Sequence, residues 1–140
     1  MQDYHNLSVW RKAHELATRV HLLSAKIPRA TNADMISQIR RAALSIPANI
    51  AEGCGRSSNR DFARFLQISF GSATELEYHL EFAAAIELIS NKDFEDRRAE
   101  IIQVRRMLTG LIRAVNPGAM SQEPAAENGQ GLGEVGRGDM

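Results

Sequence analysis

Residues 59–89 read NRDFARFLQISFGSATELEYHLEFAAAIELI, and the fold turns on this stretch. Phe62, Leu66, Ser69, Ala73, Leu76, Leu80 and Ala83 recur at steps of three and four, the spacing that lines one face of an α-helix. A second stripe, Phe65, Ile68, Ser72, Phe82, Ile86 and Ile89, falls on another face. The pattern predicts one helix from Asn59, its cap, to Ile89, about 46 Å long at 1.5 Å per residue. One layer of partners covers one stripe. The second stripe is therefore assigned to self-association, with those six residues as the oligomer interface.

Three further periodic segments flank it. Trp10, Ala13, Ala17, Val20 and Ile27, joined by Leu16 and Leu23, predict a first helix from Ser8 until Pro28 stops the pattern. Ile36, Ile39, Ala43, Ile46 and Ile50 predict a second, with Thr31 or Asn32 as cap and Gly53 just past its end. Pro47 lies inside it, and a missing amide with a ring against the Ala43 carbonyl predicts a kink, or a break restarted by Ser45. Phe94, Ile101, Val104, Leu108, Leu111 and Val115 predict a fourth helix from Asn91, interrupted by Arg97 and ending at Asn116-Pro117-Gly118. No period-two alternation reads as a strand. Four helices on short connections imply an all-α, up-down-up-down antiparallel four-helix bundle that assembles into a ring-like homo-oligomer.

Residues 1–116 form that bundle, and residues 117–140 carry six of the ten glycines with almost nothing large and apolar. Such a segment cannot bury enough surface to offset the entropy of ordering, so it reads as a Gly/Pro-rich, acidic, disordered tail. At 140 residues the chain is one small domain rather than a multidomain enzyme. No run approaches the roughly 20 apolar residues of a membrane span, and the charged N-terminus is unlike a signal peptide. A single cysteine excludes an internal disulfide and a cysteine-rich zinc site. The expectation is a cytoplasmic protein with no membrane partner.

Net charge is zero, yet residues 1–116 hold 16 Lys+Arg against 13 Asp+Glu while the remainder holds one Arg against four acids. The body is thus +3 and the tail −3. Within the body, Arg40, Arg41, Arg56, Arg60 and Arg64 face only Glu52 and Asp61 over 25 residues. Repeated around a ring, Arg40, Arg56, Arg60 and Arg64 would make an anion-facing surface for RNA or DNA. The opposing reading is structural: Arg40 or Arg41 turns inwards and pairs with Glu52 or Glu75, fixing helix two to helix three. Few aromatics are available to stack on bases, which argues against base-specific single-strand recognition.

The remaining chemistry is thin. Cys54 sits in a Gly-Cys-Gly-Arg turn with no nearby base in sequence, and the same turn lacks the Lys-Ser/Thr of a phosphate loop. His14 and His21 are seven residues apart, where helical metal pairs favour three or four, and His79 belongs to no ligand motif. Glu75, Glu77, Glu81 and Glu87 scatter around their helix and are expected to pair with Arg97, Arg98, Arg105 and Arg106. No nucleophile, base and oxyanion donor assemble by a recognised spacing, so no catalytic residue, cofactor or metal is assigned.

The central blocks carry a resemblance. Gln38 to Gly53 (QIRRAALSIPANIAEG), followed by Gly55-Arg56, together with Phe65 to Glu77 (FLQISFGSATELE) and the opening Leu7-Ser8-Val9-Trp10, resembles the small bacterial 23S rRNA intervening-sequence proteins over residues 4 to 116. The resemblance implies a homopentameric ring of four-helix bundles with no known enzymatic activity. Some members lie within large-subunit rRNA genes, and relatives include the retroelement accessory variability protein, which engages a reverse transcriptase and nucleic acid. It also implies structural roles for Arg41, Ser45, Asn49, Glu52, Gly53, Gly71, Ser72 and Glu75, with Arg41, Asn49, Glu52 and Glu75 as a polar network. The resulting expectation is a homopentameric adaptor in a nucleic-acid or ribonucleoprotein context. The alternative is a protein-binding scaffold without nucleic-acid contact.

Overall fold

The computed structural model describes residues 2–118. Four helices follow a short 3-10 turn at Tyr4–Asn6: α1 Ser8–Ser24, α2 Ala33–Cys54, α3 Asn59–Ala85 and α4 Asn91–Val115. No strand occurs among the described residues, so the fold is all-α as the periodicity requires. The tail reading falls on residues outside the described ones, apart from Pro117 and Gly118. Among the described residues no helix is long and apolar enough to cross a membrane.

The starts of α3 and α4 are explained by their caps. Ser58, not Asn59, caps α3 by accepting the Asp61 amide at 3.1 Å, and Ser90 caps α4 by accepting the Asp93 amide at 3.0 Å. Asn32 does precede α2, but its side chain donates backwards to the Pro28 carbonyl at 2.7 Å instead of capping forwards. Helix α2 runs unbroken through Pro47. The carbonyls just before the proline gain side-chain donors: Asn49 Nδ2 to Ser45 at 2.8 Å, and Ser69 Oγ of α3 to Ile46 at 2.9 Å.

The core is one continuous cluster in which Leu16, Ile39, Ile46, Ile50, Leu66, Leu76, Leu80, Ile101, Leu108 and Ile112 are fully buried. Contacts between α2 and α3 match Gly53 with Phe62 and Phe65, Ile46 with Ser69, and Ser45 with Ser72, so numbers rise on one helix as they fall on the other. Gly53 is not a residue past the helix end but lies inside α2 and buried. A Cβ there would sit 2.8 Å from Phe62 Cδ1 and 3.0 Å from Phe65 Cβ, which is why only hydrogen fits.

Helix α3 stops four residues before the expected end. The Leu88 amide bonds the Ala83 carbonyl at 2.8 Å and the Glu87 amide bonds Ala84 at 3.0 Å, the two bonds of a Schellman turn. That geometry places Glu87 at φ 66°, left-handed backbone that suits glycine. The chain reverses there, and Ile89 swings back into the subunit's own core at 7% exposure. Glu87→Gly is expected to raise stability by about 0.5–1 kcal/mol, because the turn no longer strains a Cβ. Urea unfolding followed by circular dichroism checks this; a lower midpoint would contradict it.

Candidate assembly interface

With Ile89 in the core, α3 still presents an uncovered apolar strip. Ile68 (42% exposed), Tyr78 (60%), Phe82 (42%) and Ile86 (47%) remain open, as does Leu44 of α2 (60%). At 100° per residue Ile68, Phe82 and Ile86 fall within about 40° of one another. A cleft of about 600 Å³ opens beside this strip, walled by Tyr78, His79 and Phe82 on α3 and by Asp34, Met35 and Gln38 in the first turns of α2. Tyr78 and Leu44 were not singled out from the sequence, because each sits outside the stripe of its helix.

The other residues assigned to that interface are engaged within the subunit. Ser72 is buried against α2, its hydroxyl 2.7 Å from Ser45 Oγ, which in turn accepts from Asn49 Nδ2 at 2.9 Å. Phe65 is half-buried between two guanidiniums, Arg56 and Arg64, each 4.6 Å from its ring centre. Such stacking at a surface contributes about 0.5–1 kcal/mol per cation.

The polar network differs from expectation in membership. Asn49 belongs to it, with Ser45, Ser72 and Ser69 rather than with charged partners. Arg41 is exposed and makes no side-chain hydrogen bond or ion pair among the described residues. Glu52 pairs with Arg56 at 2.5 Å and Glu75 with His79 at 3.2 Å, so neither joins α2 to α3. The reason is geometric: the α2–α3 seam is too close for long charged side chains, and short hydroxyls and amides fill it.

The arginines also divide. Arg40 turns towards α1 and donates from Nε to the Ser24 hydroxyl at 2.7 Å. It is half-buried, and the 14 residues from it to the end of α2 at Cys54, about 21 Å of helix axis, hold it away from the turn that carries Arg56. The anion-facing surface therefore excludes Arg40. Arg56 meets Glu52, with Asp61 at 3.8 Å, and Arg64 meets Asp61 at 3.0 Å. Arg60 alone of the four is exposed without a side-chain partner among the described residues.

The expected pairing of α3 with α4 is concentrated on Glu77. Its carboxylate accepts from Arg98 at 2.9 Å and lies 2.7 Å from Arg105 Nη1. Partial burial pushes the Glu77 carboxyl up, but the hydrogen bonds and charges of Arg98 and Arg105 outweigh it, and the net shift is downward. Arg97, which interrupts the apolar pattern of α4, pairs with Glu100 at 2.8 Å, and Glu100 reaches Arg19 of α1 at 2.6 Å. Cys54 is buried at 4% exposure, and burial first, with the nearby Asp3 charge second, pushes its thiol up.

The model of the 23S rRNA-intervening sequence protein family matches residues 5–110. Among solved structures, the chain is similar to a protein of unknown function from the S23 ribosomal protein family of Bacteroides thetaiotaomicron. That likeness has a TM-score of 0.68 at 30% identity and covers 75% of this chain and 98% of that one. No curated protein matches.

A carboxylate whose folded pKa is depressed stabilises the fold above its unfolded value near 4.3, and that contribution is lost as pH falls through the folded value. Glu77→Gln is thus expected to cost about 1–2 kcal/mol at pH 7, where Arg98 and Arg105 lose the shared carboxylate charge and one of its two acceptor oxygens. The gap to the unmodified protein stays level above about pH 5 and narrows in acid. Urea titrations at pH 7, 5 and 3 test this; a gap that widens in acid would contradict it.

Proposed function

The chain belongs to the 23S rRNA-intervening sequence protein family, and on that premise we propose that it is a non-catalytic adaptor that works by self-assembly. The observation that carries this reading is the open strip of Ile68, Tyr78, Phe82 and Ile86 along α3. Large exposed apolar side chains gathered on one helix face mark an association surface. The subunits are up-down-up-down antiparallel bundles, consistent with the opposed numbering of the α2–α3 contacts, and they close into the homopentamer that the family resemblance implies. A ring satisfies the strip on every copy at once, and the cleft beside Phe82 offers a recess for a neighbour's side chain. The absence of chemistry is part of the proposal, and what supports it is the burial of Cys54 with its thiol pushed up. The protein works in the cytoplasm.

Phe82→Asp and Ile68→Asp are each expected to convert an assembly with the mass of five chains into monomer, because a charge buried in an apolar contact has no compensating partner. Light scattering after size exclusion reads this directly. A wild-type monomer at micromolar concentration, or variants of unchanged mass, would refute the assembly.

A second reading, contact with nucleic acid in a ribonucleoprotein setting, is favoured by one observation. Arg60 stands exposed and without a hydrogen-bond or ion-pair partner among the described residues, and a ring repeats it. Five copies of a weak phosphate contact act through avidity rather than individual affinity. Binding to structured RNA should weaken steeply as salt rises and fall at least severalfold in Arg60→Glu. No binding at low salt would leave the protein-only scaffold.

A further inference from the structure

Outside the apolar strip, a second surface lies along the seam of α3 and α4 at the end where the described chain stops. Arg98 bonds Glu77, whereas Arg105 bonds Thr74 at 3.3 Å and approaches the Phe70 ring at 6.0 Å. Numbers thus rise on α4 as they fall on α3. Ten residues on from Arg105 is Val115, and ten back from Thr74 is Arg64, about 15 Å in each helix. The chain therefore leaves α4 level with Arg60 and Arg64.

Three arginines along this seam, Arg60 on α3 and Arg106 and Arg113 on α4, are exposed and lack any hydrogen-bond or ion-pair partner among the described residues; Arg60 and Arg113 lie towards the end where the described chain stops, and Arg106 sits about 10 Å back from Arg113 along α4. Arg106 and Arg113 are seven residues apart and so share a helix face. Just beyond Gly118, residues 119–140 carry Glu123, Glu127, Glu134 and Asp139 against one Arg137. The unpaired positive charge and the surplus negative charge begin at the same place.

We propose that residues 119–140 dock on this surface of their own subunit, their carboxylates pairing with Arg60, Arg106 and Arg113. Reach is not limiting: 22 residues can extend to at most about 75 Å, several times the roughly 20 Å of axis between the levels of Arg106 and Arg60. Tethering supplies an effective concentration of order millimolar, so pairs that are negligible between separate molecules become populated. The docked segment neutralises the basic end of the bundle and competes there with any other polyanion. The arginines are other residues than the four of the assembly strip, with Arg106 and Arg113 on a different helix, while Arg60, five full turns from Tyr78, shares that residue's side of α3.

The test compares the full chain with a full chain carrying Glu123→Gln, Glu127→Gln, Glu134→Gln and Asp139→Asn, all beyond residues 2–118. In 15N-labelled protein at about 20 mM NaCl, the Nε–H signals of Arg60, Arg106 and Arg113 should differ between the two. The difference should vanish near 0.5 M NaCl, where the screening length falls to about 4 Å. Identical low-salt spectra overturn the proposal, and so does a difference that disappears on dilution, which would mean a tail from another molecule. The reciprocal variant, Arg60→Ala, Arg106→Ala and Arg113→Ala, should be cut by a glutamate-specific protease after Glu123 and Glu127 at least threefold faster than wild type. Equal rates overturn the proposal. Adding a short RNA to the wild-type chain should speed the same cuts; no effect at an RNA concentration that binds would show that RNA sits elsewhere and end the competition claim.

Discussion

A helix can be covered by its neighbours over only part of its circumference, and α3 has apolar side chains on more of it than its own subunit covers. Phe62, Leu66, Leu76, Leu80 and Ala83 are spent on the core. Short polar side chains, Ser69 and Ser72, meet α2 along the seam, and at its end Phe62 and Phe65 approach so closely that Gly53 must be glycine. Ile68, Tyr78, Phe82 and Ile86 are then left outside. The assembly reading and the role of the neighbouring cleft both descend from this geometry.

The seam between α2 and α3 lies around Pro47, whose missing amide would have bonded the Ala43 carbonyl one turn back. Close to it, the side chains of Asn49 and Ser69 add donors to the Ser45 and Ile46 carbonyls. Each such bond is worth only about 1 kcal/mol net, but a buried acceptor without a donor costs more than that. The cluster of Ser45, Asn49, Ser69 and Ser72 therefore specifies how the two helices meet more than it adds to stability. Charge does comparable work at the periphery, where Glu77 joins α3 to α4 and Glu100 joins α1 to α4.

Counting arginines overstates the field they make. Of the four assigned to an anion-facing surface, Arg40 is turned to Ser24, while Arg56 and Arg64 are matched by Glu52 and Asp61 and lie over Phe65. What remains is Arg60 on α3, together with Arg106 and Arg113 on α4, which the run of charge around residue 50 did not bring to notice. Electrostatic character belongs to unpaired charge, and pairing is decided in three dimensions.

The amino-acid sequence by itself determined the four helices, their order and their core faces, because periodicity at 3.6 residues is a local property that burial converts directly into packing. It also determined that α4 runs from Asn91 to the Asn116-Pro117 stop, where cap and breaker are adjacent. Only the tertiary structure decided where α3 ends, since the Schellman turn at Glu87 uses a residue that no local preference would choose. It alone placed Ile89 and Ser72 inside and left Tyr78 and Leu44 outside, and it separated paired arginines from free ones. The physical reason is the same in each case: a side chain's face is set by its own helix, but its partner is set by the neighbour that helix happens to meet.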